Sequence, residues 1–166
     1  MNLYLNLDGV LHPNQVAYRP GRAPELEIEG HRVLEHAHLL TEVLAAHEDV
    51  GIVLNTWWTY YLGFDTCLNL LSAALASRVT GAVLGFSASY CELPHRVREA
   101  ETRITDSRSD AYLILDHSNA RYLRCYLPHL LAVNESEGMA TPQAAQVLRR
   151  RIDMIVSEER MKMRHP

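Results

Sequence analysis

Four short apolar runs divide the chain, and each stops on polar residues. Leu3–Leu7, interrupted by Asn6, meets Asp8 and Gly9. Gly51–Leu54 meets Asn55 and Thr56, and Ala111–Leu115 meets Asp116 and His117; Leu130–Val133 is the fourth run. Apolar runs this short, bounded by turn residues, read as strands buried on both faces. A further short strand is expected at Ala82 to Leu84. Helical spacing fills the intervals. From His31 to His47 the residues Val33, Ala37, Leu40 and Leu44 share one face, and Thr66 to Ala76 and Pro94 to Ile104 are two more helices. Thr141 reads as an N-cap with Pro142 at the first helical position, opening a helix that turns Ala144, Leu148, Ile152 and Ile155 inward. Alternation of strand and helix over the whole chain leaves one economical solution: parallel strands joined by helical crossovers, with helices on both faces.

In such sheets ligands sit beyond the carboxyl ends of the strands. The residues to watch are therefore Asn6 and Asp8, Asn55 and Thr56, and Asp116 and His117. Gln15 to Tyr18 and Leu26 to Ile28 read as a small hairpin around Pro20-Gly21. With 166 residues and no linker-like tract, one domain is expected over 1–157, followed by a polar, frayed tail over 158–166. A net charge of −4 argues against a general nucleic-acid coat protein, and no apolar run approaches the length of a membrane span. Cys67, Cys91 and Cys125 form no Cys-x-x-Cys pair, which points to free thiols in a reducing compartment. The amino terminus lacks a basic leader and a small-residue cleavage site, so a cytoplasmic protein is expected.

The string "LYLNLDGVLHP" at 3–13 resembles the first motif of the haloacid dehalogenase-like (HAD) superfamily of phosphohydrolases, a strand ending in Asp-x-Asp-Gly-(Val/Thr)-Leu. "IVLNTWW" at 52–58 is similar to the second motif and "YLILDHSN" at 112–119 to the fourth; Arg96 or Arg98 stands where the intervening basic residue is expected. The stretch "EGMATPQAAQVLRRRI" is similar to the closing helix of small HAD proteins, including HAD-type domains of bacterial RNA-repair proteins. This resemblance implies a three-layer α/β Rossmannoid fold with a central parallel sheet, a small flap hairpin and no cap domain. It also implies Mg²⁺-dependent phosphate-ester hydrolysis. The first Asp of the motif would attack phosphorus, and Asp8 would serve as acid and base. Asn55 or Thr56, with Arg98 or Arg96, would clamp phosphate. The metal would lie between the Asn6 position, the Asp8 backbone carbonyl and Asp116.

The chain departs from that pattern where the chemistry is hardest. Asn6 stands at the nucleophile, Asn55 at the second motif, and His117 replaces one of the paired acids. Removing carboxylates from a hard-cation site leaves Mg²⁺ binding weak or absent. Three readings stay open: an active enzyme trapped by engineered replacement of its nucleophile Asp with Asn6, altered chemistry in which Asp8 or His117 acts on bound water, and a scaffold that has lost phosphotransfer and binds a phosphorylated ligand or a macromolecular partner. His12 follows the first motif as a phosphate contact or a structural hydrogen-bonded residue. The aromatic run Trp57-Trp58-Thr59-Tyr60-Tyr61 reads as core packing or as a stacking platform. Gaps of the observed length leave no room for a cap, so the site should be open to a macromolecular end or partner.

Overall fold

A computed structural model describes residues 1–19, 22–88, 93–107, 109 and 111–164; the Pro20-Gly21 turn and Cys91 lie outside these. Among the described residues the elements follow in the order β1 (Asn2–Leu5), β2 (Val16–Ala17), β3 (Glu25–Leu26), α1 (Ala37–Leu44), β4 (Gly51–Leu54), α2 (Trp57–Leu62), α3 (Phe64–Leu70), α4 (Ala73–Ala76), β5 (Val79–Ala82), α5 (Arg96–Ser107), β6 (Tyr112–His117), β7 (Leu130–Val133) and α6 (Ala144–Arg164). Single 3₁₀ segments lie at Arg124–His129 and Gly138–Ala140.

The main sheet is five-stranded, in the order β5-β4-β1-β6-β7, and every pairing in it is parallel. Strand alternation sorts the core into two layers. Leu3, Leu5, Ile52, Leu54, Leu113 and Leu115 join the cluster that contains Leu40 and Leu44 of α1, Cys67 of α3, Leu75 of α4, and Leu148 and Ile152 of α6. Tyr4, Val53 and Ile114 join Val97, Ala100 and Ile104 of α5 on the opposite face. The result is the three-layer HAD-like sandwich that the resemblance implies. The β2–β3 hairpin forms its own two-stranded sheet. Among the described residues no inserted cap domain is present.

Local corrections have identifiable causes. Helix α1 covers only Ala37–Leu44 of the expected 31–47. Ahead of it the chain is pinned to the first-motif loop: the His36 amide donates to the Leu11 carbonyl at 2.9 Å, and Leu34 adopts φ 60°. The expected 66–76 helix is two, because Ser72 caps α4 by accepting from the Leu75 amide at 3.4 Å. The aromatic run forms a helix, Trp57–Leu62, capped by the Thr56 hydroxyl. Strand β5 lies three residues earlier than expected. Pro142 does not start the last helix: Gln143 adopts φ 68° and α6 begins at Ala144. That helix continues to Arg164, through the stretch read as a frayed tail.

Candidate active site at the strand ends

Register places the three polar strand ends side by side. Leu5 pairs with Leu54 on one flank and with Leu115 on the other. The Asn6 amide donates to the Leu115 carbonyl at 3.0 Å, and the Asn55 amide donates to the Leu5 carbonyl at 2.7 Å. Asn6, Asn55 and Asp116 therefore stand at one level, with Asp8 reached around the turn at Gly9. Gly9 has φ 68°, and a Cβ there would lie 2.8 Å from the His117 Cβ, so this turn and this close approach both require glycine. All of Asn6, Asp8, His12, Asn55, Thr56 and Asp116 are buried.

Asp116 is the hub. Its Oδ1 accepts from Asn6 Nδ2 at 2.9 Å, from the His117 backbone amide at 2.9 Å and from Arg96 Nη2 at 3.2 Å. Its Oδ2 accepts from Arg96 Nη1 at 2.7 Å and from the Tyr122 hydroxyl at 2.9 Å. Arg96 Nη1 also donates to the Asn55 carbonyl at 3.0 Å. Burial works against the guanidinium charge, but the Asp116 carboxylate outweighs it and holds the Arg96 pKa above its usual value. Burial, then Asp116, push the Tyr122 phenol far up, which keeps it a donor to the carboxylate. Since Tyr122 donates there, it must accept from Asn55 Nδ2 at 2.7 Å. That leaves Asn55 Oδ1 buried without a hydrogen-bond partner among the described residues.

Asp8 is bonded as fully. Oδ1 accepts from Trp58 Nε1 at 2.8 Å and from His12 Nε2 at 3.1 Å, and Oδ2 accepts from the Tyr18 hydroxyl. The Leu34 amide donates to His12 Nδ1 at 3.4 Å, which fixes the proton of the neutral ring on Nε2. Tyr18 follows β2 in the hairpin and stacks on Tyr61, with ring centroids 4.7 Å apart and planes 19° from parallel. Burial and the Asp8 charge push its phenol well above the usual range. The same two causes raise the nearby Cys67 thiol to about 12.

Several expected residues thus converge: Asn6, Asp8, His12, Asn55, Thr56, Arg96, Asp116 and His117. The Thr56 hydroxyl, one of the expected phosphate clamps, accepts from the Trp58 amide at 3.3 Å as a helix cap. Arg98 is not in the cluster; it is half-exposed and pairs with Glu101, whose other oxygen accepts from the Leu123 amide at 2.6 Å. Tyr18, Trp58 and Tyr122 are the contributors that motif spacing did not single out. Trp58 closes the string similar to the second motif and belongs to an aromatic run but carries no site role in that motif, and Tyr18 and Tyr122 lie outside any motif. Tyr18, Trp58 and His12 close over Asp8, so that carboxylate itself is buried.

A divalent cation at this place would take the Asp8 carbonyl, Asp116 and the side chain at position 6. The donor set does not fit Mg²⁺. Asn6 Nδ2, a hydrogen-bond donor, lies 2.8 Å from the Asp8 carbonyl and 2.9 Å from Asp116 Oδ1, between the two oxygens that the ion would bridge. The Leu7 amide donates to Asn6 Oδ1 at 2.9 Å, which fixes the amide in that orientation. Among the described residues no group of three or more His, Cys, Asp or Glu side chains is placed to hold a metal.

No helix among the described residues is long and apolar enough to cross a membrane. No curated protein and no solved structure matches the chain. The strand order, the motif residues at three adjacent strand ends and the flap hairpin agree with one match that spans most of the sequence: over residues 2–144 the chain belongs to the family described as the HAD domain in Swiss Army Knife RNA repair proteins.

Proposed function

We propose that this chain is a HAD phosphohydrolase scaffold that binds a phosphorylated ligand or partner and does not turn it over through an aspartyl-phosphate. The observation that carries this reading is the Asn6 side chain. Its amide nitrogen donates to Asp8 and Asp116, and its oxygen accepts from Leu7, so position 6 presents no free nucleophile. Asp8 retains the residue type of the family's acid and base, yet both of its oxygens are engaged by His12, Trp58 and Tyr18. Weak or absent Mg²⁺ binding follows from the same amide. Since family membership associates such domains with RNA repair proteins, phosphate esters of nucleic acids belong among the ligands to test. Free thiols at Cys67 and Cys125 support a reducing, cytoplasmic setting.

The test compares the chain with Asn6→Asp, using 4-nitrophenyl phosphate with Mg²⁺ and a chase for acid-stable phosphoprotein. The unmodified chain should release phosphate at the background rate and form no phosphoprotein. Phosphoprotein formed by the unmodified chain would overturn the reading. Phosphate release without phosphoprotein, lost in Asp8→Asn, would favour hydrolysis by water activated at Asp8.

A further inference from the structure

The strand-end cluster is buried and internally bonded, so a ligand must meet the protein beside it. A concavity of about 400 Å³ opens next to Asp116, between the start of α2, the approach to α5 and the segment after β6. Its walls include Trp57, His95, Arg96, His117, Asn119 and Arg121. Arg96 and His117 are shared with the cluster, so this concavity is its outward continuation. In a chain of net charge −4, every titratable side chain that lines it among the described residues is basic. The nearest buried carboxylate, Asp116, is neutralised by the two-pronged Arg96 contact.

His117 contributes a donor to the wall, its Nε2 lying 3.9 Å from Asp116 Oδ1. The Asn119 backbone amide donates to His117 Nδ1 at 3.2 Å, which leaves Nε2 as the protonated nitrogen of the neutral ring. Arg121 adds a full positive charge at the exposed rim. The remaining lining is apolar, including Leu93, Pro94, Val97 and Ala120, with Trp57 as its aromatic surface. Trp57 is braced by Tyr60 edge-on at 5.9 Å and by Tyr61 at 6.4 Å, which holds its indole in place before any ligand arrives. A volume of this size, mostly apolar and with a few convergent donors, suits a small organic anion.

We propose that this concavity binds a phosphate monoester carried on a planar ring. The ring stacks on Trp57, and the phosphate is held by Arg121, His95 and the His117 Nε2–H. The anion sits on the Asp116 side of the site, away from Asn6, and is held without a divalent cation. The inference rests on the phosphate-binding reading above and assigns that binding to particular side chains.

The experiment is calorimetric titration in EDTA with phenyl phosphate, adenosine 5′-monophosphate, inorganic phosphate and adenosine. It is run on the full chain, Trp57→Leu and Arg121→Gln, with circular dichroism confirming each fold. Arg121 is exposed, so its substitution tests the site even where Trp57→Leu perturbs packing. Both ring-bearing phosphates should bind more tightly than phosphate or adenosine alone, and each substitution should weaken them about tenfold. Tighter binding of adenosine monophosphate identifies a nucleotide as the source of the ring; equal or tighter binding of phenyl phosphate identifies a simple aryl ester. Either order supports the assignment. Ring phosphates that bind folded Arg121→Gln as tightly as the full chain, or that bind only when Mg²⁺ is supplied, would overturn this site while leaving phosphate binding itself intact. Absence of binding by every phosphorylated probe would overturn both readings.

Discussion

At the scale of single residues, the cluster is an arrangement of charge and donors with little left over. One guanidinium faces one buried carboxylate, and neutral donors fill the remaining lone pairs of Asp116 and Asp8. Truncating Arg96 leaves Asp116 buried without its counter-charge. We expect Arg96→Met to cost about 3–5 kcal/mol, read from urea denaturation, because the uncompensated charge outweighs the methionine's apolar contacts. A loss below about 1 kcal/mol would show that Asn6, Tyr122 and the His117 amide suffice for the carboxylate. The identities of these residues were legible as a set, since Asn6, Asp8, Asn55 and Asp116 each follow an apolar run. The choice between Arg96 and Arg98 was not, because residues two apart on a helix face different directions, and only packing of α5 decides which one turns inward.

At the scale of elements, turns and close approaches set the site's shape. Gly138 opens the 3₁₀ segment Gly138–Ala140 with φ 53°, and a Cβ there would lie 2.2 Å from the Val10 carbonyl oxygen. The Met139 amide donates to that same carbonyl at 2.7 Å. Since Val10 lies in the loop that carries Asp8 and His12, this contact fastens the first motif from below. Gly138→Ala combines a strained backbone with a clash against main chain, and should cost about 2–4 kcal/mol in thermal or chemical unfolding. A neutral effect would mean that the loop can shift without loss. Strand positions were readable because burial on both faces leaves an uninterrupted apolar signature. Helix boundaries were less so, because a local cap at Ser72, a long-range hydrogen bond at Leu34 and positive-φ turns at Leu34 and Gln143 end or delay helices in ways that apolar periodicity does not encode.

At the scale of the whole molecule, acid should weaken the fold through partly buried histidines, His117 in the cluster and His36 outside it, since burial lowers the pKa of both. Burial lowers the His36 pKa, and His38, His31 and His12 add to that, while Glu35 opposes it. A folded-state pKa below the unfolded value of 6.5 means that the unfolded chain binds the proton more readily. This contribution to stability is present above that value and is lost as pH falls below it. Glu35 acts in the same sense further down: hydrogen bonds from His31 and the Arg32 amide overcome its burial and lower its pKa below 4.5, so its contribution fades under stronger acid. The melting temperature should therefore fall from pH 7 to pH 5, and His36→Gln should flatten that slope. A slope unchanged by the substitution would remove His36 as a cause.

The sequence by itself determined the class of this protein. Short doubly buried strands alternating with amphipathic helices permit a parallel three-layer sandwich, and polar residues at three strand ends mark its site. It also placed Asn6 where a carboxylate is expected, since residue identity there needs no structure to read. Only the tertiary structure decided what that exchange does. The Asn6 amide donates to two oxygens a cation would take, Tyr18 and Trp58 close over Asp8, and Trp57 with Arg121 borders the concavity that continues outward from the cluster. Such meetings join residues separated by tens of positions. Their geometry depends on strand register, helix rotation and the return of the flap hairpin, and no local pattern along the chain fixes those.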